Sequence, residues 1–258
     1  MVRGGGEMAT AVARLLFLSG MRVVVLEREQ PLAVRRLVSF AEAVFAGEVE
    51  VEGVGGRRAA LDDVPPEPVP WVPVVVDPDG RLLARLAPDV IIDARMAKRG
   101  SGARPPGPAL VIGLGPGLTA GAEVDAVIET ERGPDLGRVL WTGQAEADTS
   151  RPSPVLGHTD TRVLRAPRTG AFSGRVALGD LIQAGDVVGE VGGAPVASAI
   201  AGLVRGLLHD GVTVEAGIKV GDVDPRGRGV DPARISDKAR AVAAGTLEAV
   251  LMRARGVR

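Results

Sequence analysis

The stretch MVRGGGEMATAVARLLFLSGMRVVVLE, residues 1–27, sets the architecture of the N-terminal half. A short strand leads into Gly4, Gly5 and Gly6, and apolar side chains then recur at helical spacing until Gly20. The β-branched run that follows is typical of a buried parallel strand. This order of strand, glycine turn, helix and strand predicts the first β-α-β unit of a Rossmann-like sheet.

The glycine turn is also the first candidate ligand site. Such a turn lets a phosphate approach backbone N–H groups at the start of a helix. Glu27 lies about 20 residues further on, at the end of the second strand, where an acid can bind ribose hydroxyls. The motif is imperfect, because Glu7 stands where a small residue is usual and would repel a phosphate. A tight turn that holds no ligand is the alternative interpretation.

The following segments continue the alternation of helix and strand. Residues 31–47 carry an apolar stripe at helical spacing, which predicts a second helix. Residues 48–60 are predicted to form a hairpin that turns at Gly55-Gly56. Strands predicted at 72–76 and 90–93 would join one parallel sheet through a right-handed crossover.

Charged residues at a predicted strand end extend the candidate site. Open α/β sheets bind ligands at the carboxyl ends of their strands, and Asp93, Arg95 and Lys98 stand at or just past such an end. Together with Arg35, the basic side chains can clamp a small anion such as a phosphate or a carboxylate. Solvated surface arginines, or an ion pair of Asp93 with one of these cations, are the alternatives.

A second glycine cluster follows a further predicted strand. Residues 113–121 read GLGPGLTAG, and the candidate phosphate-binding residues in it are Gly113, Gly115, Gly117 and Thr119. No lysine follows as in a P-loop ATPase, and a structural turn is the alternative. No metal site is predicted, because the chain has no cysteine and only two histidines.

The chain changes character near residue 155 and then contains an internal repeat. Residues 170–191 align without a gap onto residues 202–223, with eight identical positions. Two short β motifs of one shape predict a small pseudo-twofold barrel, which resembles the barrel-sandwich fold of lipoyl and biotinyl carrier domains. The hairpin between the repeats, residues 192–197, has no lysine, so neither lipoyl nor biotin is expected.

The predicted fold class is therefore α/β, in three parts. A Rossmann-like domain of the nucleotide-binding type spans residues 1–155, and a barrel-sandwich hybrid β domain spans residues 156–228. Residues 229–258 form a C-terminal helix that packs on the body, with Ser236 as its N-cap.

Composition narrows the classes of function. The net charge is −1, aromatic residues make up 2% and tyrosine is absent, which argues against nucleic-acid binding. No apolar run is long enough to span a membrane and no signal peptide is visible, so we expect a cytoplasmic protein without membrane contact. Homo-oligomerisation is left open.

Several longer strings carry a family resemblance. They are RGGGEMAT (3–10), EREQPLAVRRLVSFAEAVFAGEVEVEG (27–53), PDVIIDARMAKR (88–99), VIGLGPGLTAGAEVDAVIETERG (111–133), LGRVLWTG (136–143), and KVGDVDPRG with ISDKARAVAAGTLEAVL (219–251). On these strings the chain resembles the YqeB-like family, the accessory protein of the selenium-dependent molybdenum hydroxylase system.

The resemblance implies a part in maturing or supplying the molybdenum cofactor, with a molybdenum hydroxylase or its maturation machinery as partner. The small anionic ligand would then be NAD(P), another nucleotide or a molybdopterin-type compound. A stand-alone NAD(P)-dependent oxidoreductase and a non-catalytic assembly scaffold are the alternatives, and whether the chain is an enzyme stays open. Without cysteine, the chain cannot carry selenium on a thiol of its own.

Overall fold

Nine strands of the N-terminal half join in one sheet, in a computed structural model that describes residues 1–96, 104, 107–148 and 153–257. The first eleven strands are β1 (Val2–Arg3), β2 (Val25–Glu27), β3 (Glu48–Val51), β4 (Val54–Ala59), β5 (Val72–Val76), β6 (Val90–Asp93), β7 (Leu110–Leu114), β8 (Thr119–Ala120), β9 (Ala126–Ile128), β10 (Val139–Leu140) and β11 (Gly143–Gln144). The sheet has the order β10-β9-β7-β6-β1-β2-β5-β4-β3, while β8 pairs with β11 separately.

The central strands of this sheet are parallel, and antiparallel β3 and β10 close its two edges. A row of β-branched side chains crosses the sheet at one level. Each member is at most 1% exposed, and the row consists of Val74, Val25, Val2, Ile92 and Ile112. Such burial is typical of parallel strands covered by helices.

Helices cover both faces of the sheet. They are α1 (Glu7–Leu18), α2 (Ala43–Ala46), α3 (Arg81–Leu86) and α4 (Asp237–Ala254). Helix α4 lies against α1, and both pack on the face that carries Val2 and Ile92. Leu82 of α3 packs with Leu26 on the opposite face. Within the described ranges, no helix combines the length and the apolar character that crossing a membrane requires.

The internal repeat appears as two matching sets of three strands. The strands of this region are β12 (Val163–Arg165), β13 (Gly170–Gly174), β14 (Leu181–Ile182), β15 (Val187–Val191), β16 (Ala194–Ala197), β17 (Gly202–Leu207), β18 (Thr213–Val214) and β19 (Lys219–Asp224). In the alignment of the repeat, β13, β14 and β15 correspond to β17, β18 and β19.

The two strand sets exchange their short middle strands. Strand β13 pairs with β15, and β17 pairs with β19, within each repeat. Across the repeats, β14 pairs with β17 and β18 pairs with β13. This reciprocal exchange is what a pseudo-twofold relation requires, while the barrel-sandwich assignment stays a prediction.

The helix predicted over residues 31–47 is wrong. Two short 3-10 turns and the one-turn helix α2 stand in its place. Backbone N–H groups that a helix would use internally are bonded elsewhere. The N–H of Phe40 donates to Oγ1 of Thr10 (2.8 Å), and the N–H of Ala41 donates to the carbonyl of Gly5 (2.8 Å). These tertiary hydrogen bonds tie the segment to α1 and the glycine turn.

The hairpin predicted within residues 48–60 is confirmed, but its predicted turn is wrong. Strands β3 and β4 are joined at Glu52 and Gly53 rather than at Gly55-Gly56. Glu52 and Gly53 have φ values of +45° and +80°. Positive φ at both central residues is typical of the two-residue turns that suit hairpins.

Residues 34–45, which end inside α2, join the α/β sheet to the repeat region. The carbonyl of Val34 accepts a hydrogen bond from the N–H of Leu207 (2.8 Å), and Nε of Arg36 donates to the carbonyl of Leu207 (2.8 Å). The rings of Phe45 and His209 stack with their centroids 3.9 Å apart. The repeat region is thus anchored beside the carboxyl edge of the parallel sheet.

Candidate functional site

The carboxyl ends of β1, β2, β5 and β6 border a cleft of about 820 Å³. Strand β1 lies between β2 and β6, so the crossovers on its two sides diverge and leave a crevice. Clefts of this size hold cofactor-sized ligands. The lining residues come from five segments: Arg3, Gly4, Gly5, Gly6; Leu26, Glu27, Arg28, Glu29, Gln30; Leu32, Ala33; Asp77, Pro78; and Ala94, Arg95, Met96.

The three glycines of the first turn differ in what their surroundings require. Gly4 has a φ of +102°, and a Cβ there would lie 2.9 Å from the carbonyl oxygen of Ala94. A Cβ on Gly5 would lie 2.9 Å from the backbone nitrogen of Ala41. A Cβ on Gly6 would meet nothing within 4 Å. Packing therefore requires Gly4 and Gly5, whereas Gly6 borders open space.

The amino end of α1 borders the cleft at Gly6, which is the N-cap residue. No side chain caps the N–H groups of this first turn, and the positive end of the helix dipole favours an anion there. Glu7 is engaged elsewhere: its Oε1 accepts from the N–H of Ser236 (2.8 Å) and its Oε2 from Nη1 of Arg35 (3.3 Å). The charge expected to repel a phosphate is thus partly compensated.

Glu27 is held by the glycine turn itself. The N–H of Gly5 donates to Oε2 (2.7 Å), and the N–H of Arg28 donates to Oε1 (2.8 Å). Burial raises the pKa of Glu27, although these backbone hydrogen bonds and the Arg28 charge act in the opposite direction. Each carboxylate oxygen keeps a lone pair for a ligand hydroxyl. The structure therefore brings the glycine turn and Glu27 together, as the strand order predicted.

Asp93 and Arg95 form a bidentate ion pair at the end of β6. Nε of Arg95 lies 3.0 Å from Oδ1 of Asp93, and Nη2 lies 2.6 Å from Oδ2. The hydrogen bonds to Asp93 raise the pKa of Arg95. Of the three interpretations that the sequence left open, the structure therefore has the ion pair. Lys98, the other cation predicted here, lies outside the described residues.

Arg3, like Arg28, is a cleft cation that was not among the predicted site residues. Among the residues that the structure describes, the Arg3 guanidinium has no hydrogen-bond or ion-pair partner. Burial lowers the pKa of Arg3 and nearby Arg95 lowers it further, while Asp93 and Asp77 raise it. A sequence signal did exist, because Arg3 is a charged residue at the last position of a buried strand, directly before the glycine turn.

Arg35 lies outside the lining of the cleft. Its side chain is buried, and besides Glu7 its Nη2 donates to the carbonyls of Pro232 (3.3 Å) and Arg234 (3.0 Å). Burial lowers the pKa of Arg35, while Glu7 raises it. The predicted role as an anion clamp is thus replaced by a link between α1 and the segment that precedes α4.

The residues of the second glycine cluster do not line the cleft either: Gly113, Gly115, Gly117 and Thr119. The N–H of Thr119 donates to Oε2 of Glu123 (2.8 Å), and the N–H of Gly115 donates to the carbonyl of Ile128 (2.9 Å). These donors are used within and beside their own loop, which leaves the structural turn as the better interpretation.

Both histidines lie away from the cleft. His209 stacks on Phe45, and Nδ1 of His158 is 3.2 Å from Oγ1 of Thr161. In residues 1–96, 104, 107–148 and 153–257, no group of three or more histidine, aspartate or glutamate side chains is placed to hold a metal ion. The carboxylates that line the cleft are Glu27, Glu29 and Asp77, of which Asp77 is buried and already accepts hydrogen bonds from two backbone N–H groups of α3.

A second cavity, of about 490 Å³, lies at the opposite, amino edge of the sheet. Its lining is mainly apolar and includes Val24 and Leu110 from the sheet and Val250 from α4. It contains none of the predicted site residues. The carboxyl edge therefore carries the candidate site.

No family model matches the chain. "Uncharacterized protein YqeB" of Escherichia coli (strain K12) is 44% identical over 254 residues, which are 98% of this chain and 47% of that protein. The chain thus spans about half the length of the curated relative that it matches. This likeness agrees with the family name that the quoted strings indicated, and the relative's name states no activity.

Similarity to solved structures is weak. The succinylglutamate desuccinylase/aspartoacylase of Rhodobacter sphaeroides is 27% identical over 24% of this chain and 22% of that chain, with a TM-score of 0.21. The apo ectoine utilization protein EutE (DoeB) of Ruegeria pomeroyi is 12% identical over 86% of this chain and 87% of that chain, with a TM-score of 0.24. Scores this low carry no argument about fold or activity.

Proposed function

We propose that this chain is a cytoplasmic accessory or maturation factor for a selenium-dependent molybdenum hydroxylase, and that it binds a nucleotide or molybdopterin-type ligand in the carboxyl-edge cleft. The accessory role rests on the family resemblance and on the likeness to YqeB. The ligand-binding part rests on one observation. The uncapped amino end of α1, at Gly6, and the Glu27 carboxylate line the same cleft.

These two groups are complementary to a phosphorylated, hydroxyl-bearing ligand. The N–H groups of the first turn of α1 would stabilise a phosphate, helped by the helix dipole. Glu27 would accept hydrogen bonds from hydroxyls, and its negative charge disfavours a second phosphate at the same position. Among nicotinamide nucleotides, the proposal therefore expects NADH to bind more tightly than NADPH.

A non-catalytic assembly scaffold is the second candidate, and one observation favours it. A Cβ on Gly4 or Gly5 would lie 2.9 Å from a backbone atom. Packing alone therefore requires glycine at both positions, whether or not a ligand binds. Only the open space at Gly6 then calls for another explanation. The two candidates differ in whether any small ligand binds at the amino end of α1.

Titration of the chain with NADH, followed by fluorescence, and with AMP, followed by calorimetry, separates these candidates. A Gly6→Val side chain would project into open space at the cleft and is expected to weaken binding at least about tenfold, since it blocks a charge-assisted contact. Gly229→Val is the matched control, because a Cβ on Gly229 also meets nothing within 4 Å. Binding that Gly6→Val leaves unchanged, or no binding by the unmodified chain, would favour the scaffold.

The partner is tested separately. A tagged chain is expected to co-purify with a molybdenum hydroxylase from cells that make both proteins. Oxidation of NADH by the isolated chain with a small-molecule acceptor would instead support the stand-alone oxidoreductase.

A further inference from the structure

Arg3 is a half-buried cation that lacks a direct counter-ion within the described part of the chain. Its register partner on β6 is Asp93, and its register partner on β2 is Leu26. Taking a guanidinium partly out of water without a hydrogen-bonded partner is unfavourable. An arrangement of this kind is stabilised when an anionic ligand supplies the missing contacts.

The two carboxylates whose charges act on Arg3, Asp93 and Asp77, are already engaged with other groups. Asp93 accepts both hydrogen bonds of its pair with Arg95. Asp77 accepts from the N–H groups of Arg81 (2.9 Å) and Leu82 (2.8 Å) at the start of α3. Arg3 therefore keeps donors that point to no described carboxylate, although it lines the cleft.

Arg3 and the amino end of α1 lie on opposite faces of β1. Side chains alternate along a strand, and Val2 packs on the face that α1 covers. Arg3 consequently projects to the α3 face, where its Nη2 lies 3.7 Å from the position that a Cβ on Gly80 would occupy. The two electropositive groups are only three residues apart along the chain, so they flank a single point of the sheet edge.

We infer that Arg3 forms a second anion subsite, and that the ligand carries two linked phosphates that straddle the end of β1. This inference rests on the proposed function. One phosphate lies at the amino end of α1, and the other is bound by Arg3. The ligand class is thereby narrowed to pyrophosphate-bearing compounds, such as nucleoside diphosphates and dinucleotides. Monophosphates occupy only one of the two subsites.

The test compares calorimetric affinities for ADP and AMP in the full chain and in Arg3→Met. The unmodified chain is expected to bind ADP at least about tenfold more tightly than AMP, the effect of one charge-assisted contact. Arg3→Met should remove that difference, because it should lower the affinity for ADP and leave the affinity for AMP unchanged. Arg168→Met is the control, because Arg168 is an exposed arginine outside the lining of the cleft, and it should leave both affinities and their difference unchanged.

Equal affinities for ADP and AMP in the unmodified chain would overturn the inference. An equal loss of affinity for both ligands in Arg3→Met would overturn it too, since Arg3 would then bind the same phosphate as the amino end of α1. In either case, AMP binding that Gly6→Val weakens would leave the proposed function standing. Absence of binding by both nucleotides would overturn the inference and the nucleotide-binding part of the proposed function. Thermal unfolding of Arg3→Met without ligand shows whether the variant is folded.

Discussion

The backbone N–H of Gly5 donates a 2.7 Å hydrogen bond to Oε2 of Glu27, across 22 residues of sequence. This bond makes the turn after β1 and the acid at the end of β2 one structural unit. The same turn presents Gly6 to open space and receives the N–H of Ala41 on the carbonyl of Gly5. Substitutions in the turn therefore separate packing effects from ligand effects.

Alanine at Gly4 and alanine at Gly6 are expected to act differently on stability. Gly4→Ala forces a Cβ into a positive-φ position 2.9 Å from the carbonyl oxygen of Ala94, and should lower the free energy of unfolding by about 2 kcal/mol or more. Gly6→Ala meets no neighbour, and should cost at most about 1 kcal/mol through its N-cap position. Equilibrium urea unfolding measures both. Equal losses would contradict the different surroundings of Gly4 and Gly6.

The pH dependence of stability should carry a contribution from Glu27. Because burial raises its pKa in the folded chain, its stabilising contribution is fully present below the ordinary carboxyl pKa of about 4.3 and is lost as the pH rises through the raised value. The Glu27→Gln variant lacks this contribution. The stability of the unmodified chain relative to the variant should therefore fall with rising pH across that window, in urea titrations at several pH values.

The opposite slope for Glu27 would also be informative. A relative stability that rises with pH would mean that the hydrogen bonds from Gly5 and Arg28 outweigh burial.

Loss of Arg35 should affect stability rather than ligand binding. Its buried guanidinium pairs with Glu7 and donates to two carbonyls, so Arg35→Met should lower the free energy of unfolding by about 3 kcal/mol. Arg138→Met removes an exposed pair with Asp135 and should cost less than about 1 kcal/mol. Weaker AMP binding with unchanged stability in Arg35→Met would restore the anion clamp predicted from the sequence.

Arg95→Ala is expected to lower the free energy of unfolding by less than Arg35→Met does, and to leave ligand affinity nearly unchanged. The variant removes two hydrogen bonds to the buried Asp93 carboxylate, and such charge-assisted bonds contribute about 1.5–3 kcal/mol. AMP affinity should change little, because the Arg95 charge is matched by Asp93. Thermal or urea unfolding beside calorimetry checks both quantities. A large loss of affinity with intact stability would show that Arg95 turns towards the ligand.

Most of the parallel sheet was predictable because its signals are local. The strands predicted at 72–76 and 90–93 are confirmed, since a run of β-branched residues buries both faces of a strand wherever helices cover the sheet. The failed helix over residues 31–47 shows the limit of such signals. Its periodicity is real, but Phe40 and Ala41 give their N–H groups to Thr10 and Gly5, which no local pattern contains.

The candidate site residues also divide into those that spacing in the sequence predicts and those whose position depends on contacts with remote segments. Gly6 and Glu27 could be placed from spacing, because consecutive parallel strands bring their carboxyl ends to one edge. Arg35 could not, because its burial depends on Pro232 and Arg234 from the far end of the chain. The sequence marks Arg3 as a charged residue at the end of a buried strand, but its lack of a counter-ion among the described residues follows only from the tertiary structure.

The amino-acid sequence alone therefore determined most of the alternation of strands and helices, the glycine turn with its acid, and the repeat of residues 170–191 in 202–223. These features follow from backbone geometry and side-chain periodicity, which act over a few residues. Only the tertiary structure determined which charges are matched. It paired Arg95 with Asp93, buried Arg35 against Glu7 and left Arg3 at the cleft. Electrostatic pairing depends on distance in space, and that distance arises only when segments remote in sequence pack together.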